Sequence, residues 1–397
     1  MPPNPISVTL AAIFPLDKRL RRSIDTWQQL MPGPLLRAAL FNIDTADVDT
    51  ASIEAELDVS DLRQRQLLPQ LHANISAQLP KSMAVALKKI RLESFVRNKT
   101  YLGELPELAF CLAQVGIPLL ALKGAALAST YYQDIGCRPL GDLDLLVPEC
   151  DMVKAIDAIT AEGWRPIHEL SRQQYYINAR FYHALCFEHP NKLVRLDLHI
   201  HCNHSVLWPN IDEPYWQRAL PLADYDGVLR LSDTDNLMQV CNHGISQNFD
   251  SPVRWAMDAY LIMTKGSDGI DWDWIVDNAN RTFIAPQLLL AFMWLQQELQ
   301  LDIPERVITE LGNASYDYHG LKAWAYRLDK PLGVVEIINS HWHIFSLSTK
   351  HLSVLETVAL VPTYCKVEAH RQSFTAATAE VLMKLSKRLT RRLRNDK

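Results

Sequence analysis

What this chain lacks narrows it first. It has no C-x-x-C pair, and its seven cysteines (Cys111, Cys137, Cys150, Cys186, Cys202, Cys241, Cys365) are odd in number and scattered. That spacing suits reduced thiols rather than a disulfide framework or a cysteine-bound zinc. There is no excess of positive charge. At a net charge of −5, the chain has no global electrostatic drive toward nucleic acid or an anionic membrane. No uncharged apolar run reaches the roughly 20 residues of a spanning helix; the longest such window, 282–297, contains Pro286 and glutamines. The N-terminal stretch has no basic segment ahead of its short apolar one and meets Asp17 soon after, so it is a poor signal peptide. Internal repeats and low-complexity linkers are missing as well. These absences predict a soluble, cytoplasmic chain.

What is there is an ordinary globular mix, 48% apolar and 21% charged over 397 residues, enough for two or three domains. The pattern divides into an N-terminal helical region at 1–100, an α/β region at 101–231 and a C-terminal helical region at 232–397. In the first, Ser7 to Phe14 is apolar, Lys18 to Leu30 has helical spacing, and Thr50 or Ser52 is a candidate helix cap. Ser82 to Arg97 predicts an amphipathic helix, and Glu104 to Val115 a second, ended by Gly116. Strands are predicted at Pro118 to Lys123, Gly141 to Val147, Phe181 to Glu188 and Leu193 to Ile200, the last two as a hairpin, with a short one at Trp164 to Ile167. Asp151 is a candidate cap for a helix running to Gly163, with Met152, Ala155, Ile156 and Ile159 inward. After Asp233 the chain reads as helical, punctuated by Pro304, Pro331 and Pro362.

The chemistry gathers in the α/β region. In Gly141-Asp142-Leu143-Asp144-Leu145-Leu146-Val147 alternation puts Asp142 and Asp144 on one face. Two adjacent carboxylates raise each other's pKa unless a cation lies between them, and an all-oxygen donor set suits a hard ion such as Mg²⁺. Upstream, Lys123-Gly124 opens a helix after a strand, so backbone N–H groups there can approach a phosphate. Arg138 is a second candidate phosphate contact. Downstream, Val194-Arg195-Leu196-Asp197-Leu198-His199 offers a third acid.

The Leu122-Lys123-Gly124 turn, the R-P-x-G-D-L-D-L-L-V run from Arg138 to Val147 and V-R-L-D-L-H resemble the nucleotidyltransferase superfamily with the DNA polymerase β-like palm. They resemble in particular its bacterial family of uncharacterised nucleotidyltransferases. His243-Gly244, Arg254-Trp255 with Asp258, and Asp273-Trp274 extend the resemblance, which covers about Gly116 to Arg281. It implies an α+β fold, a mixed sheet with helices on one face, between N- and C-terminal helical regions. It implies that Asp142, Asp144 and Asp197 hold two Mg²⁺ ions (Mn²⁺ is the substitute). Those ions carry an NTP such as ATP, and an unidentified acceptor attacks the α-phosphate with loss of pyrophosphate. Gly124 and its helix would cradle the phosphates. The wider superfamily usually follows this glycine with glycine or serine. Here Lys123 precedes Gly124 and Ala125 follows it, so the serine hydroxyl is missing and Lys123 is the group available in its place. A non-catalytic nucleotide-binding protein on the same fold is the alternative.

Other groups carry competing readings. His183, His189, His199, His201 and His204 invite a zinc site, but their spacing matches no closed motif. His199 is read instead as orienting a carboxylate or touching phosphate, and His201 as a satisfied histidine. Arg254 either pairs with Asp258 at i+4 or faces the cleft and binds triphosphate or acceptor. Trp255, Trp272 and Trp274 are read as core. The tail from Leu382 to Lys397, with seven Lys or Arg against one Asp, forms a basic helix suited either to solvent or to an acidic surface.

Overall fold

The computed structural model describes residues 39–40, 66–167, 175, 181–204, 206–246, 254–314, 342 and 345–368. The segments Ser7 to Phe14 and Lys18 to Leu30, the Thr50 or Ser52 cap, Pro331 and the basic tail lie outside these residues. In chain order the elements are α1 (Leu68–Ile75), α2 (Lys81–Leu102), α3 (Leu105–Gln114), β1 (Leu119–Ala121), α4 (Lys123–Thr130), β2 (Leu143–Leu146), α5 (Met152–Ala161), β3 (Arg165–Pro166), β4 (Ala184–Glu188) and β5 (Arg195–His199). Then come α6 (Glu213–Gln217), β6 (Leu220–Pro221), β7 (Val228–Arg230), α7 (Asp233–Ser246), α8 (Arg254–Lys265), α9 (Trp272–Arg281), α10 (Ala285–Leu299), α11 (Glu305–Asn313) and α12 (Val354–Glu368).

The strands form one mixed sheet in the order β3-β4-β5-β2-β1-β7-β6, which is the α+β architecture expected. β4 and β5 pair antiparallel as the predicted hairpin. β2 and β5 run parallel, with Asp144 opposite Asp197. Alternation sorts the side chains cleanly. Leu119, Ala121, Leu143, Leu145, Leu196 and Leu198 enter one core with α3, α4 and α5, while Leu120, Leu122 and Leu146 point to the other face with Tyr215 of α6. A separate helical core joins α1, α7, α8, α10 and α11, and Leu127 and Tyr131 of α4 reach into it. The short β6 and β7 were not predicted. β7 pairs parallel with β1, and two- or three-residue strands are too short to show a period.

Three local expectations are corrected. α2 buries a mixed stripe rather than an apolar one. Leu87, Tyr101 and Leu102 are buried beside Ser94 and Asn98, while Val85, Leu92 and Val96 are exposed, and Asn98 adds polar contacts to the 135–140 backbone. Asp151 makes no side-chain cap to α5, since a 3₁₀ turn at Glu149–Asp151 leads into the helix. Pro362 lies inside α12 rather than ending it. Gly116 takes φ +71 after α3, as expected of the residue that ends it; the Ser232 hydroxyl accepts from the Asp235 amide at the start of α7, and Asp271 caps α9.

Candidate active site

The sheet edge-on-edge pairing of β2 and β5 is what brings the acids together. Asp144 lies opposite Asp197 in the ladder, and Asp142 precedes β2 by one residue. Carboxylate oxygens of Asp142, Asp144 and Asp197 all lie within 4.8 Å of one another, and this is the group of three or more potential metal ligands found among the described residues. Asp142 is exposed, Asp197 half-buried and Asp144 buried. Burial of the surroundings and the carboxylates of Asp144 and Asp197 push Asp142 up to about 6. Its own side chain meets solvent, so the repulsion is the larger cause. Burial opposes ionisation of Asp144, but Lys123 and His199 outweigh it and hold its carboxyl well below the usual range.

Both of those partners reach the same oxygen. Lys123 Nζ donates to Asp144 Oδ1 at 2.8 Å, and His199 Nε2 lies 2.9 Å from that atom, as expected of a histidine that orients a carboxylate. Lys123 is the first residue of α4 and takes φ +44, a left-handed conformation that is strained for a residue with a Cβ. Gly124 follows, buried. A Cβ there would stand 3.0 Å from Arg138 Nη1 and 3.2 Å from Leu140 Cγ, so glycine lets the start of the helix pack closely against Arg138 and Leu140.

Arg138 is buried. Its Nε and Nη2 donate to Asp258 at 2.8 and 2.9 Å, and Tyr132 donates to the same carboxylate at 2.5 Å. Removing one partner of a buried pair costs about 3–5 kcal/mol, so Arg138 stays on Asp258, with its Nη1 packed beside Gly124. Asp258 is therefore the anchor of Arg138, not an intrahelical partner of Arg254. Arg254 instead donates to the Pro139 carbonyl at 3.4 Å and lines the cleft with Lys123, Gly124, Asp142, Asp144 and His243. The cleft encloses about 210 Å³. Burial pushes His243 and His183 well below the ordinary imidazole range, so both are neutral.

The histidines do not converge on a zinc site. Extended pairing ends at His199, where the amides of Ile200 and His201 both donate to the His183 carbonyl. His201 turns to Asp212, Nδ1 to Oδ2 at 2.8 Å. The tryptophans are structural. Trp255 is buried against Gly244, where any Cβ would overlap the indole, and Trp274 donates to Asp235 at 2.6 Å.

This combination of acids on two parallel strands, a glycine at a strand-to-helix turn and flanking cations is matched by one family. The family model described as "Uncharacterised nucleotidyltransferase" covers residues 58–300, more than half of the chain. The chain belongs to this family of nucleotidyltransferases. No curated protein and no solved structure matches it.

Two residues of the nucleotidyltransferase site escaped the sequence reading. Asn98 of α2 donates to the carbonyls of Ile135 and Arg138 and accepts from the Leu140 amide at 3.0 Å, so it shapes the loop that carries Arg138 and leads into β2. Cys186 of β4 is the ladder partner of Asp197. Burial and its hydrogen bond to Asp197 push the thiol up to about 12, keeping it a donor. Nothing local marks either residue.

Proposed function

We propose that this nucleotidyltransferase moves a nucleoside monophosphate from an NTP to an acceptor nucleophile, releasing pyrophosphate, with Mg²⁺ or Mn²⁺ held by Asp142, Asp144 and Asp197. The observation that carries the reading is the convergence of three carboxylates beside the N-terminus of α4. An all-carboxylate donor set fits a hard divalent ion. Bound there, the ion supplies positive charge where phosphate charge develops. The residues do the rest. His199 and Lys123 fix the Asp144 carboxylate, the cleft lined by Gly124 leads a phosphate toward the helix N-terminus, and Arg254 with Arg138 adds cationic edges to that cleft. Asp197 stands ready to take a proton from the acceptor hydroxyl. At about 210 Å³ the cleft is smaller than the roughly 300–1,000 Å³ of pockets that enclose a whole ligand. It suits the triphosphate end, with base and acceptor entering from outside.

The test is pyrophosphate release with each of the four NTPs, Mg²⁺ or Mn²⁺ and cell extract as the acceptor source. Release by wild type that Asp142→Asn abolishes, with the fold intact, is expected. Equal release by both proteins overturns the assignment. One observation favours a second reading, nucleotide binding without transfer: Ala125 stands where the common turn has glycine or serine, and the Lys123 ammonium already sits on Asp144. NTP binding by a wild type that releases no pyrophosphate with any extract would select it.

A further inference from the structure

Lys123 sets itself apart from every other residue of the site by holding a strained backbone and a committed side chain at once. Its φ of +44 is one glycine would adopt freely; a lysine kept there holds its ammonium at 2.8 Å from Asp144 Oδ1. Both side chains are largely shielded from solvent, at 19% and 5% exposure. His199 takes the same oxygen at 2.9 Å. Asp144, paired directly with Asp197 across the ladder, is thus left with Oδ2 alone for a bound ion. Asp144 is the buried member of the three carboxylates, and with Oδ1 taken it has one oxygen rather than two to offer to a pair of ions.

We propose that Lys123 is a built-in replacement for one of two cations, so that the site takes a single divalent ion per chain. This deepens the nucleotidyltransferase reading above and rests on it. Charge supports it. Three carboxylates and one ammonium leave the protein side of the site with two negative charges in place of three, which weakens its pull on a second cation. A second ion would sit against a fixed positive charge in a partly buried cleft, where like charges are poorly screened. Lys123 then acts through Asp144, as a positioning residue and a fixed charge.

The experiment is a Mn²⁺ titration of the full-length protein, reading free Mn²⁺ by electron paramagnetic resonance, with a saturating α,β-methylene NTP analogue. Wild type is expected to bind one Mn²⁺ per chain. Lys123→Gly, which also relieves the backbone, is expected to bind two, the second more weakly. Lys123→Met keeps the bulk without the charge and is expected to behave like the glycine variant, so a loosened turn cannot imitate the result. Two ions bound by wild type overturn this proposal alone and leave nucleotidyl transfer standing. One ion in all three proteins also overturns it, because Lys123 then excludes nothing. No Mn²⁺ bound by wild type overturns both this proposal and the transferase reading.

Discussion

Asp142 and Asp144 are two residues apart and are shifted in opposite directions, because Lys123 and His199 reach the Asp144 carboxylate directly. Lys123 and His199 stabilise ionised Asp144, while Asp142 faces two other carboxylates and is raised to about 6. The consequence for stability follows from proton linkage. Between the ordinary carboxylate value near 4 and about 6, folded protein holds a proton on Asp142 that unfolded protein has lost. Asp142 therefore makes metal-free protein less stable as pH rises through that window. Asp144 works the other way, and its contribution is complete above pH about 4. Buried, neutral His183 and His243 add a rise in stability with pH that both proteins share, so in urea denaturation in chelator from pH 4.5 to 7.5 it is the stability of wild type relative to Asp142→Asn that should fall. Parallel curves would mean that Asp142 does not feel its neighbours.

Elements position these residues by contacts that are far apart in sequence. α2 packs through Leu87, Tyr101 and Leu102, and it also contributes Asn98, which is fully buried and holds the Ile135, Arg138 and Leu140 backbone. Truncating it leaves buried carbonyls and an amide without partners, each worth about 1–3 kcal/mol. Asn98→Ala is expected to lose on the order of 2 kcal/mol or more in urea unfolding and to lower transfer activity through the displaced 138–141 loop. A change within about 0.5 kcal/mol, the usual range of a neutral surface substitution, would remove that role. The same distance in sequence explains Arg138 and Asp258. Each is one charged residue in its own segment, and only the packing of α8 against the 138–141 loop shows that they belong to each other.

At the scale of the molecule, two cores meet at the site. The sheet core carries the carboxylates on β2 and β5, and the helical core supplies α7 and α8, whose Gly244 and Trp255 interlock. A ligand in the cleft touches both, so binding should stabilise the whole. A ligand at one hundred times its dissociation constant adds about 2.7 kcal/mol, which is worth about 2–4 °C per kcal/mol in a domain of a few hundred residues. Mn²⁺ with the NTP analogue should raise the melting temperature of wild type by several degrees and leave Asp197→Asn nearly unmoved. An equal shift in both would place the ion elsewhere. Among the described residues no helix is long and apolar enough to cross a membrane, in line with the absence of long apolar runs.

The strand alternation, the D-x-D pair, the third acid and the strand-turn-helix at Lys123-Gly124 were legible in the sequence because each is a local pattern: period two along a strand, glycine at a turn, caps at helix starts. From these alone came the α+β architecture and the candidate carboxylates. The tertiary structure decided the partnerships. It set Arg138 on Asp258, His201 on Asp212, Asn98 under the loop, and β7 beside β1. It also set Lys123 on Asp144, which turned a candidate phosphate contact into a candidate fixed cation. Burial is the physical reason. A charge or amide removed from water must find a partner nearby in space, and sequence spacing carries no record of which distant residue that is.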